Sequence, residues 1–388
     1  MSALIAGYAR TPFSRFGGRF ASVAATALGA HAIRAALQRA GVDPSEVQRV
    51  VAGQVLQAGA GQNPARQSSV EAGIPLTVPA MTLNAVCLSG MEAVVSAAQL
   101  IDSGQADVVV ALGQESMSLA PHVVNVRTGH KYGAVGLLDT LELDGLTDAF
   151  EGQSMGASTE AGNLAYGIDR AVQDAWAAES HRRAEAHASQ HAEEIAPYTL
   201  RSRNGDVKIS DDDGVRPGAT SDALGKLRPA FSADGTITAG NSSQITDGAA
   251  ALVLVSQAAA QRLNLSPMAV VEAHALVAGP DVRLHDQPAN AIHAALRKIN
   301  RTTEELAAVE INEAFAAVAV KSAQVLGIST EMINSRGGAI ALGHPIGASG
   351  ARLVGTLAYQ LADRPDALGA AGICGGGGQG SAVVIRSL

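Results

Sequence analysis

The chain has 388 residues, of which 47% are hydrophobic and 16% charged, and its formal net charge is −8 at pH 7. Such a chain can bury a large core and has room for two domains or one large α/β unit. It contains no basic run, which argues against nucleic acid or an anionic membrane as a partner. Aromatic residues are only 3%, so the core must consist mainly of Ala, Val, Leu and Ile.

The first residues, MSALIAGYARTPF, lack the basic and long apolar regions of a signal peptide. No apolar run reaches membrane-spanning length. Cys87 and Cys374 are the only cysteines, which is too few for a disulfide framework in a chain of this size. These features predict a soluble protein of a reducing compartment, and we expect it in the cytoplasm.

Similar segments recur along the chain at a separation of 259 or 260 residues. AIRAAL at 32–37 returns as AIHAAL at 291–296, and a polar turn follows each copy. The Ser-Gly pairs at 89–90 and 349–350 each open a helical stretch that leads toward a strand-like run. This agreement predicts two duplicated halves. Chance similarity in an Ala-rich chain is the alternative.

The order of these elements predicts the layers of the fold. Alternating strand-like and helix-like runs favour mainly parallel sheets covered by helices. The two helices behind the Ser-Gly pairs are apolar on all sides, which is typical of fully buried helices. We therefore expect two sheets that share a central pair of helices. The predicted parts are an N-terminal half (1–116 plus 240–266), an inserted segment (117–239) and a C-terminal half (267–388).

The inserted segment is rich in turns and contains one predicted helix, from Arg170 to about His191. We interpret it as an insertion that covers the core. Its acidic run at 211–213 is predicted to be a solvated turn rather than a metal site.

Two residues lie at equivalent places in the predicted halves. Cys87, in NAVCLSG, directly precedes the first Ser-Gly helix, where unpaired N–H groups and the helix dipole favour the thiolate. His344, in GGAIALGHPIGASG, precedes the second. If the halves are related by pseudo-symmetry, the two residues meet and form an activated Cys/His pair. An inert buried cysteine and a histidine that only packs or caps are the alternatives.

Other polar residues follow strand-like runs or precede them. Asn312, in VEINEAFAAV, is either a helix N-cap or a donor to a developing oxyanion. Ser242, Ser243 and Asp247, in GNSSQITDGAAA, have the pattern of a turn satisfied by hydroxyl groups. No glycine-rich phosphate signature stands between a strand and a helix, so nucleotide binding by those routes is not supported.

The chain contains the stretch CGGGGQGSAVVIR near its C-terminus. Because a strand-like run follows the glycines directly, we predict a pinned turn and not a flexible linker. Without side chains, a ligand could lie against this backbone and against Cys374.

Several segments, in order, resemble the signature motifs of the thiolases. They are NAVCLSG, GNSSQITDGAAA, INEAFAAVAV, GGAIALGHPIGASGAR and CGGGGQG, and RTPFSRFGG resembles the opening motif of the family. The resemblance covers essentially the whole chain. It implies the α/β thiolase fold, a five-layered αβαβα core of two duplicated halves with an inserted loop domain that binds coenzyme A.

The resemblance also implies roles for individual residues. Cys87 would be the nucleophile that accepts an acyl group, and His344 would activate it and help bind the thioester oxygen. Asn312 would hold a water in that oxyanion site. Cys374 would remove an α-proton from the second acyl-CoA, and the backbone N–H groups of Cys87 and Gly376 would form a second oxyanion hole.

The coenzyme contacts carried over by the resemblance are Leu146, Met155, Arg216, Ser243, Ala314 and Phe315. Arg216 would approach the nucleotide end, and Ser243 would meet the pantetheine amide. Ser154 stands where several short-chain members carry His, and Ala223 stands where some carry Ser, so the coenzyme contacts are expected to differ there.

EGQSMG and DGLTDAF resemble acetyl-specific, short-chain members, and RTGHKYGAVGLLD resembles their tetramerisation loop. The implied activity is an acyl transfer of lipid metabolism, in which two acetyl-CoA condense reversibly to acetoacetyl-CoA and coenzyme A. We expect a homotetramer, a dimer of dimers, with the thioesters as substrates and no metal or other cofactor. The alternatives are a broader 3-ketoacyl-CoA thiolase of fatty-acid β-oxidation, a non-catalytic thiolase-like lipid carrier, and a redox protein that pairs its two cysteines.

Overall fold

A computed structural model of the protein describes residues 2–201 and 205–388. The strands are β1 (Leu4–Arg10), β2 (Ser14–Arg15), β3 (Arg49–Gly53), β4 (Ala80–Leu83), β5 (Val108–Glu115), β6 (His122–Val123), β7 (Leu138–Asp139), β8 (Tyr198–Leu200), β9 (Val207–Ile209), β10 (Thr246–Val255), β11 (Ala269–Ala278), β12 (Leu306–Ile311), β13 (Leu368–Gly375) and β14 (Gln379–Ser387). The α-helices are α1 (Ala25–Ala40), α2 (Pro64–Glu71), α3 (Ser89–Asp102), α4 (Met155–Tyr166), α5 (Arg170–Ala186), α6 (Ala188–Glu194), α7 (Ser221–Leu224), α8 (Gln257–Arg262), α9 (Gln287–Lys298), α10 (Ala316–Leu326), α11 (Ala339–Leu342) and α12 (Ser349–Leu361). Short 3₁₀ turns lie at Pro44–Glu46, Thr303–Glu305 and Thr330–Met332, and a π-helical segment lies at Leu141–Leu146.

One large sheet runs through the molecule in the order β12-β13-β14-β11-β1-β10-β5-β3-β4. Its two parts have the same construction, since β1-β10-β5-β3 in the N-terminal half corresponds to β11-β14-β13-β12 in the C-terminal half. A parallel bridge between Val309 and Ile333 stands where β3 pairs with β4. The duplication predicted from the sequence is therefore present in the strand order, while the residue boundaries of the three parts stay a prediction.

The prediction of mainly parallel sheets is wrong, because the sheet is mixed. β3 pairs in parallel with β4 and β5, and β12 with β13, but β1, β10, β11 and β14 pair with one another or with their neighbours in antiparallel fashion. The cause is connectivity. β13 and β14 are joined by a turn at 376–378, too short for the crossover that a parallel pair needs.

The predicted five layers are present. Helices α3 and α12 lie between the two parts of the sheet and share one core cluster with strands of both halves; Ile5, Met91, Leu357 and Ile385 belong to it. Helix α1 covers the outer face of the N-terminal part, and α9 covers that of the C-terminal part, each with its own core cluster. The layers are helix, N-terminal part of the sheet, helix pair, C-terminal part of the sheet, helix. The two sheets predicted from the sequence are thus two parts of one sheet, joined where β1 pairs with β11.

The two Ser-Gly pairs explain how closely the central helices approach. A Cβ on Gly90 would lie 2.8 Å from the carbonyl oxygen of Gly347, and a Cβ on Gly350 would lie 2.2 Å from the backbone nitrogen of Met91. Only glycine permits such contact. The segments that precede α3 and α12 are consequently brought to the same place in the molecule.

The inserted segment covers the core, but its details differ from the predictions. The chain breaks at His187, so the single helix expected from Arg170 to about His191 is two helices, α5 and α6. Among the described residues, no helix is both long enough and apolar enough to cross a membrane.

The acidic run is solvated only at Asp211, whose side chain is 72% exposed, so the prediction of a solvated turn is wrong for Asp212 and Asp213. The carboxylate of Asp212 is 4% exposed and accepts two hydrogen bonds from the buried Arg10, from Nη1 at 2.7 Å and Nη2 at 2.9 Å. Asp213 accepts the backbone N–H of Arg15 at 2.7 Å and the hydroxyl of Ser14 at 2.9 Å. This charge-assisted bidentate pair holds the insertion against β1. Arg10 is fully buried, so water cannot replace the carboxylate as the acceptor for its guanidinium N–H groups.

Candidate active site

Cys87 lies in a strained turn between β4 and α3. Val86, the residue before it, has φ of +52°, a left-handed conformation that β-branched residues rarely adopt. Ser89 holds this turn, since its Oγ accepts the Ala85 N–H at 2.9 Å and donates to the Val86 carbonyl at 2.6 Å. Strain maintained in this way is typical of functional positions.

The thiol of Cys87 is protonated in the resting molecule. Burial, with a smaller contribution from the negative charge of Glu115, raises the pKa of Cys87 to about 12, even though the N–H groups of Cys87 and Gly376 donate to the sulfur and act to lower the pKa. The N–H groups act in the predicted direction and favour the thiolate, but desolvation of the sulfur outweighs them in the resting state. A proton acceptor is needed before this thiol can react.

His344 provides a neutral imidazole. Its Nδ1 lies 2.6 Å from the Ser349 Oγ, which in turn lies 3.0 Å from the Pro345 carbonyl. When Ser349 donates its one proton to that carbonyl, its oxygen accepts Nδ1–H, and Nε2 keeps its lone pair. Burial and the positive charge of Arg352 lower the pKa of His344 to about 3, so the ring is uncharged at neutral pH.

Asn312 lies beside this imidazole. Its Nδ2 is 3.4 Å from Nε2 of His344, and its Oδ1 is buried without a partner in the part of the chain that the structure describes. The N-cap alternative is wrong, because α10 begins at Ala316 and its N-cap is Phe315. A buried amide oxygen of this kind needs a donor, which a ligand or a water can supply.

Glu313 fixes the loop that carries Asn312. Its carboxylate accepts hydrogen bonds from four donors: Trp176 Nε1 at 3.0 Å, Ser180 Oγ at 2.7 Å, Asn334 Nδ2 at 2.8 Å and the Ile340 N–H at 3.1 Å. One carboxylate thus ties together α5 of the insertion, the loop after β12 and the segment that leads to His344.

Cys374 is the second-last residue of β13 and is 1% exposed. Burial, and then the proximity of Cys87, raise the pKa of Cys374 well above its ordinary value, so it is also a thiol at rest. Behind it, Gly377 and Gly378 have φ of +77° and +68°, which a turn between β13 and β14 requires and glycine adopts without strain. The glycine run is the pinned turn that the sequence predicted.

The predicted coenzyme contacts line one cavity. This cavity has a volume of about 540 Å³ and is bordered by His344, and all six residues lie on it: Leu146, Met155, Arg216, Ser243, Ala314 and Phe315. A second cavity, of about 670 Å³, is lined by Val86, Gly376 and again Met155. Met155 therefore borders both cavities, and it packs against the apolar cluster that contains Cys374.

Local bonds account for several of the remaining polar groups. The N–H of Ser243 donates to the Ala314 carbonyl at 3.0 Å, and the N–H of Arg216 donates to His181 Nδ1 at 3.2 Å. Ser154 caps α4, because its Oγ accepts the Ala157 N–H at 3.2 Å. The roles of these residues toward a coenzyme stay predictions. Ala223 lies in α7, away from this cavity wall.

The sequence reasoning missed residues that shape this site. Phe231 lines the cavity of about 540 Å³ and meets Phe315 edge-on, with ring centroids 6.2 Å apart. Arg15 stands on the same wall as Arg216 and adds a second guanidinium there. The sequence signal for Phe231 is that phenylalanine is rare in this chain, which has only six. The signal for Arg15 is its place in the RTPFSRFGG motif, from which the sequence analysis predicted no site residue.

Comparison with known proteins gives two family matches and many relatives. Residues 3–258 match the family described as "Thiolase, N-terminal domain", and residues 265–387 match "Thiolase, C-terminal domain". The chain is 49% identical over 387 residues to a probable acetyl-CoA acetyltransferase of Mycolicibacterium smegmatis, covering 99% of this chain and 100% of the relative. It is 46% identical to an acetyl-CoA acetyltransferase of Chromobacterium violaceum, covering 100% of both chains.

Solved structures give the same result for the fold. The acetyl-CoA acetyltransferase of Bacillus anthracis superposes with a TM-score of 0.96 at 35% identity, over 100% of this chain and 99% of that one. The human mitochondrial 3-ketoacyl-CoA thiolase superposes with the same TM-score, identity and coverage. Superposition therefore establishes the fold without distinguishing between the two activities.

Proposed function

The chain belongs to the thiolase family, and from this we propose that it is an acetyl-CoA C-acetyltransferase, which condenses two acetyl-CoA to acetoacetyl-CoA and coenzyme A. One observation carries the proposal. The Cys87 sulfur accepts the Gly376 N–H near a second thiol, Cys374. Cys87 packs against the apolar cluster that contains Ile346, and Cys374 belongs to the one that Met155 packs against; Ile346 and Met155 line the cavity bordered by His344. Two thiols and a neutral imidazole at one place suit acyl transfer followed by proton abstraction.

In the first half-reaction, Nε2 of His344 takes the proton of Cys87, and the sulfur attacks the thioester carbonyl. The resulting imidazolium Nε2–H donates to the oxygen that becomes negative, together with a water held by the buried Oδ1 of Asn312. The bond between the carbonyl carbon and the sulfur of coenzyme A breaks. The departing thiolate takes the proton of Cys374, which leaves acetyl-Cys87, a Cys374 thiolate and a protonated His344.

In the second half-reaction, the Cys374 thiolate takes an α-proton from a second acetyl-CoA. The carbanion attacks the carbonyl of acetyl-Cys87, whose oxygen receives the N–H groups of Cys87 and Gly376. The carbon–sulfur bond to Cys87 breaks, and His344 returns its proton to that sulfur. The reaction ends with the two thiols and the neutral imidazole with which it began.

The acyl-chain range distinguishes this proposal from the broader 3-ketoacyl-CoA thiolase. Relatives at 46% identity over the whole chain are named acetyl-CoA acetyltransferase, which favours the short-chain reaction. The test compares thiolysis of acetoacetyl-CoA with that of eight-carbon and sixteen-carbon ketoacyl-CoA. We expect kcat/KM to fall with chain length, and equal or better long-chain rates would overturn the acetyl-specific proposal. A non-catalytic lipid carrier would turn over neither substrate.

The proposal includes the surroundings of the enzyme. Coenzyme A thioesters are its substrates, and no metal or other cofactor takes part in the steps above. We propose a homotetramer in the cytoplasm. Support for the assembly comes from exposed apolar side chains on the 122–139 segment, namely Val126, Tyr132, Val135, Leu137 and Leu138. Light scattering after size exclusion tests it, and a monomeric mass would contradict it.

A further inference from the structure

A buried carboxylate that the mechanism does not use lies behind the nucleophile. Glu115 is the last residue of β5 and is fully buried. Its Oε2 accepts the N–H groups of Val55 at 3.0 Å and Gly347 at 2.9 Å, and its Oε1 accepts the N–H of Leu56 at 3.1 Å. Val55 and Leu56 belong to the N-terminal half, and Gly347 follows His344 by three residues. One carboxylate therefore joins the backbone of both halves.

The groups that Glu115 holds form the wall around Cys87. Val55, Leu56 and Ile346, the neighbour of Gly347, belong to one apolar cluster, against which Cys87 packs. Any displacement of these backbone segments would move that wall relative to the sulfur. The carboxylate is thus placed to fix the geometry of the nucleophile without contacting the substrate.

Glu115 also acts on Cys87 through its charge. Burial raises the pKa of Glu115 to about 7, against the three N–H donors that lower it. The negative charge of Asp247 on β10 makes a smaller contribution to this increase, and Asp247 itself accepts the N–H and hydroxyl of Ser118 at 2.9 and 2.5 Å. Above neutral pH, the ionised Glu115 disfavours a negative charge on the nearby sulfur of Cys87.

We propose that Glu115 is a positioning residue of the acyl-transfer site: its carboxylate fixes the Val55–Leu56 and Gly347 backbone around Cys87, and its charge adds to the burial that keeps the resting nucleophile a thiol until His344 takes the proton. The role in turnover rests on the proposed function, whereas the effect on the thiol does not. Glutamine cannot replace this carboxylate, since its NH₂ group would face N–H donors.

The substitution Glu115→Gln tests both parts of the proposal, because it should make alkylation of Cys87 faster and condensation slower. Removal of the charge should make alkylation of Cys87 by iodoacetamide roughly three- to tenfold faster at about pH 8.5, because a tenfold change in thiolate corresponds to one pKa unit. Loss of the fixed backbone should lower kcat for condensation roughly 10- to 100-fold. Peptide mapping by mass spectrometry assigns the alkylation to Cys87 and separates it from Cys374.

The pH profile adds a signature that a structural role would not give. Below about pH 6 the wild-type Glu115 is protonated, so the two alkylation rates should converge there and separate as the pH rises through about 7. Should the Glu115→Gln protein not fold, the wild type alone carries the test, since its alkylation rate should rise less than tenfold per pH unit between about pH 6 and 8.

Two further variants separate charge from shape. Glu115→Asp keeps the charge with a shorter reach, so its alkylation rate should stay within about twofold of the wild type, while kcat falls. Glu92→Gln is the matched control, because it removes a carboxylate on α3 that accepts the Ser381 hydroxyl at 2.6 Å, away from the Cys87 wall. Both of its rates should stay within about twofold.

Alkylation that is unchanged or slower in Glu115→Gln, together with lost turnover, would overturn the proposal and leave Glu115 a structural residue. A wild-type enzyme that forms no acetoacetyl-CoA would instead contradict the proposed function. The alkylation experiments would still report on Glu115 in that case.

Discussion

The two halves of the molecule have the same strand order but contribute unequally to the candidate site. In the N-terminal half, the segment before α3 supplies one functional side chain, Cys87. In the C-terminal half, the segment before α12 supplies His344, the loop after β12 supplies Asn312, and the end of β13 supplies Cys374. Duplication thus provided two equivalent frameworks, and the chemistry was divided between them.

Equivalent positions show how the division is achieved. Gln54 follows β3 as Asn312 follows β12, yet both ends of the Gln54 amide are satisfied, by the Leu56 carbonyl at 2.9 Å and by Gln114 at 2.7 Å. Gln114 is the second-last residue of β5, as Cys374 is of β13. The N-terminal half uses these places to bond itself, whereas the C-terminal half leaves the Asn312 oxygen without a partner in the described chain. At this pair of equivalent positions, the amide oxygen left without a partner is the one that lies beside His344.

Removal of the nucleophile that the N-terminal half contributes gives the largest expected effect. Cys87→Ala should abolish acetyl-enzyme formation from labelled acetyl-CoA and lower kcat by at least roughly 10⁴-fold, since no other group can take the acyl chain. Acid-stable label on the protein, followed by peptide mapping, measures it. Normal labelling of this variant would contradict the assignment of Cys87 as the nucleophile.

Cys374→Ala should separate the two half-reactions. The variant should still accept label, because the thiolate of coenzyme A can take its proton from solvent, but condensation should fall roughly 10²- to 10⁴-fold without the base. Single-turnover labelling beside acetoacetyl-CoA formation measures both. A redox protein that pairs its two cysteines predicts no such separation, and unimpaired condensation would remove Cys374 from the mechanism.

The pair of equivalent amides gives the third prediction. Asn312→Ala should lower kcat roughly 10²- to 10³-fold, as does the loss of one oxyanion donor elsewhere, with a small change in KM. Gln54→Ala is the matched variant, and it should lower the melting temperature more than kcat, because its bonds are internal to the fold. An equal decrease of kcat in both variants would contradict the proposed difference between the two halves.

The thiol and the imidazole contributed by the two halves should form a neutral pair at rest. With the pKa of Cys87 at about 12 and that of His344 at about 3, the thiolate fraction keeps rising throughout the alkaline range. The rate of Cys87 alkylation should consequently increase about tenfold per pH unit from about pH 8 to 10, without a plateau. A plateau near neutral pH would indicate a resting thiolate–imidazolium pair instead.

The smallest expected effect concerns Met155, which belongs to the inserted segment and to neither half. Met155→Ala should widen the space between the two cavities and raise the ratio of six-carbon to four-carbon ketoacyl-CoA thiolysis by about tenfold, the order of discrimination that one or two methylene groups provide. The ratio of the two kcat/KM values measures it. An unchanged ratio would show that Met155 does not limit the acyl chain.

Much of the fold and the site was predictable from local patterns. The recurrence of AIRAAL and of the Ser-Gly pairs predicted the duplication, because a repeated frame keeps its spacing even where side chains diverge. The ordered motifs singled out Cys87, His344, Asn312 and Cys374; the structure places Asn312 beside His344 and Cys87 near Cys374, while the catalytic roles of the four stay a prediction. The glycine run was predicted as a turn because a strand-like sequence fixes its far end.

The failures share one cause, which is that burial and pairing are tertiary properties. Asp212 looks like part of a solvated turn until Arg10, far away in sequence, is seen to bind it. The protonated state of Cys87 follows from desolvation and from Glu115, neither of which the NAVCLSG motif contains. The mixed sheet was missed because periodicity identifies a strand but not the direction of its neighbour.

The hydrogen bond between Trp176 and Glu313 allows the conformation of the protein to be followed by fluorescence. Trp176 is the only tryptophan in the chain, and its indole N–H donates to that carboxylate where the insertion meets both the Asn312 loop and the segment before His344. Indole emission depends on hydrogen bonding and polarity, so the native fluorescence of this single residue reports on whether the insertion is seated on the core. Binding of substrate and the onset of unfolding can both be followed optically, with no label and no added residue.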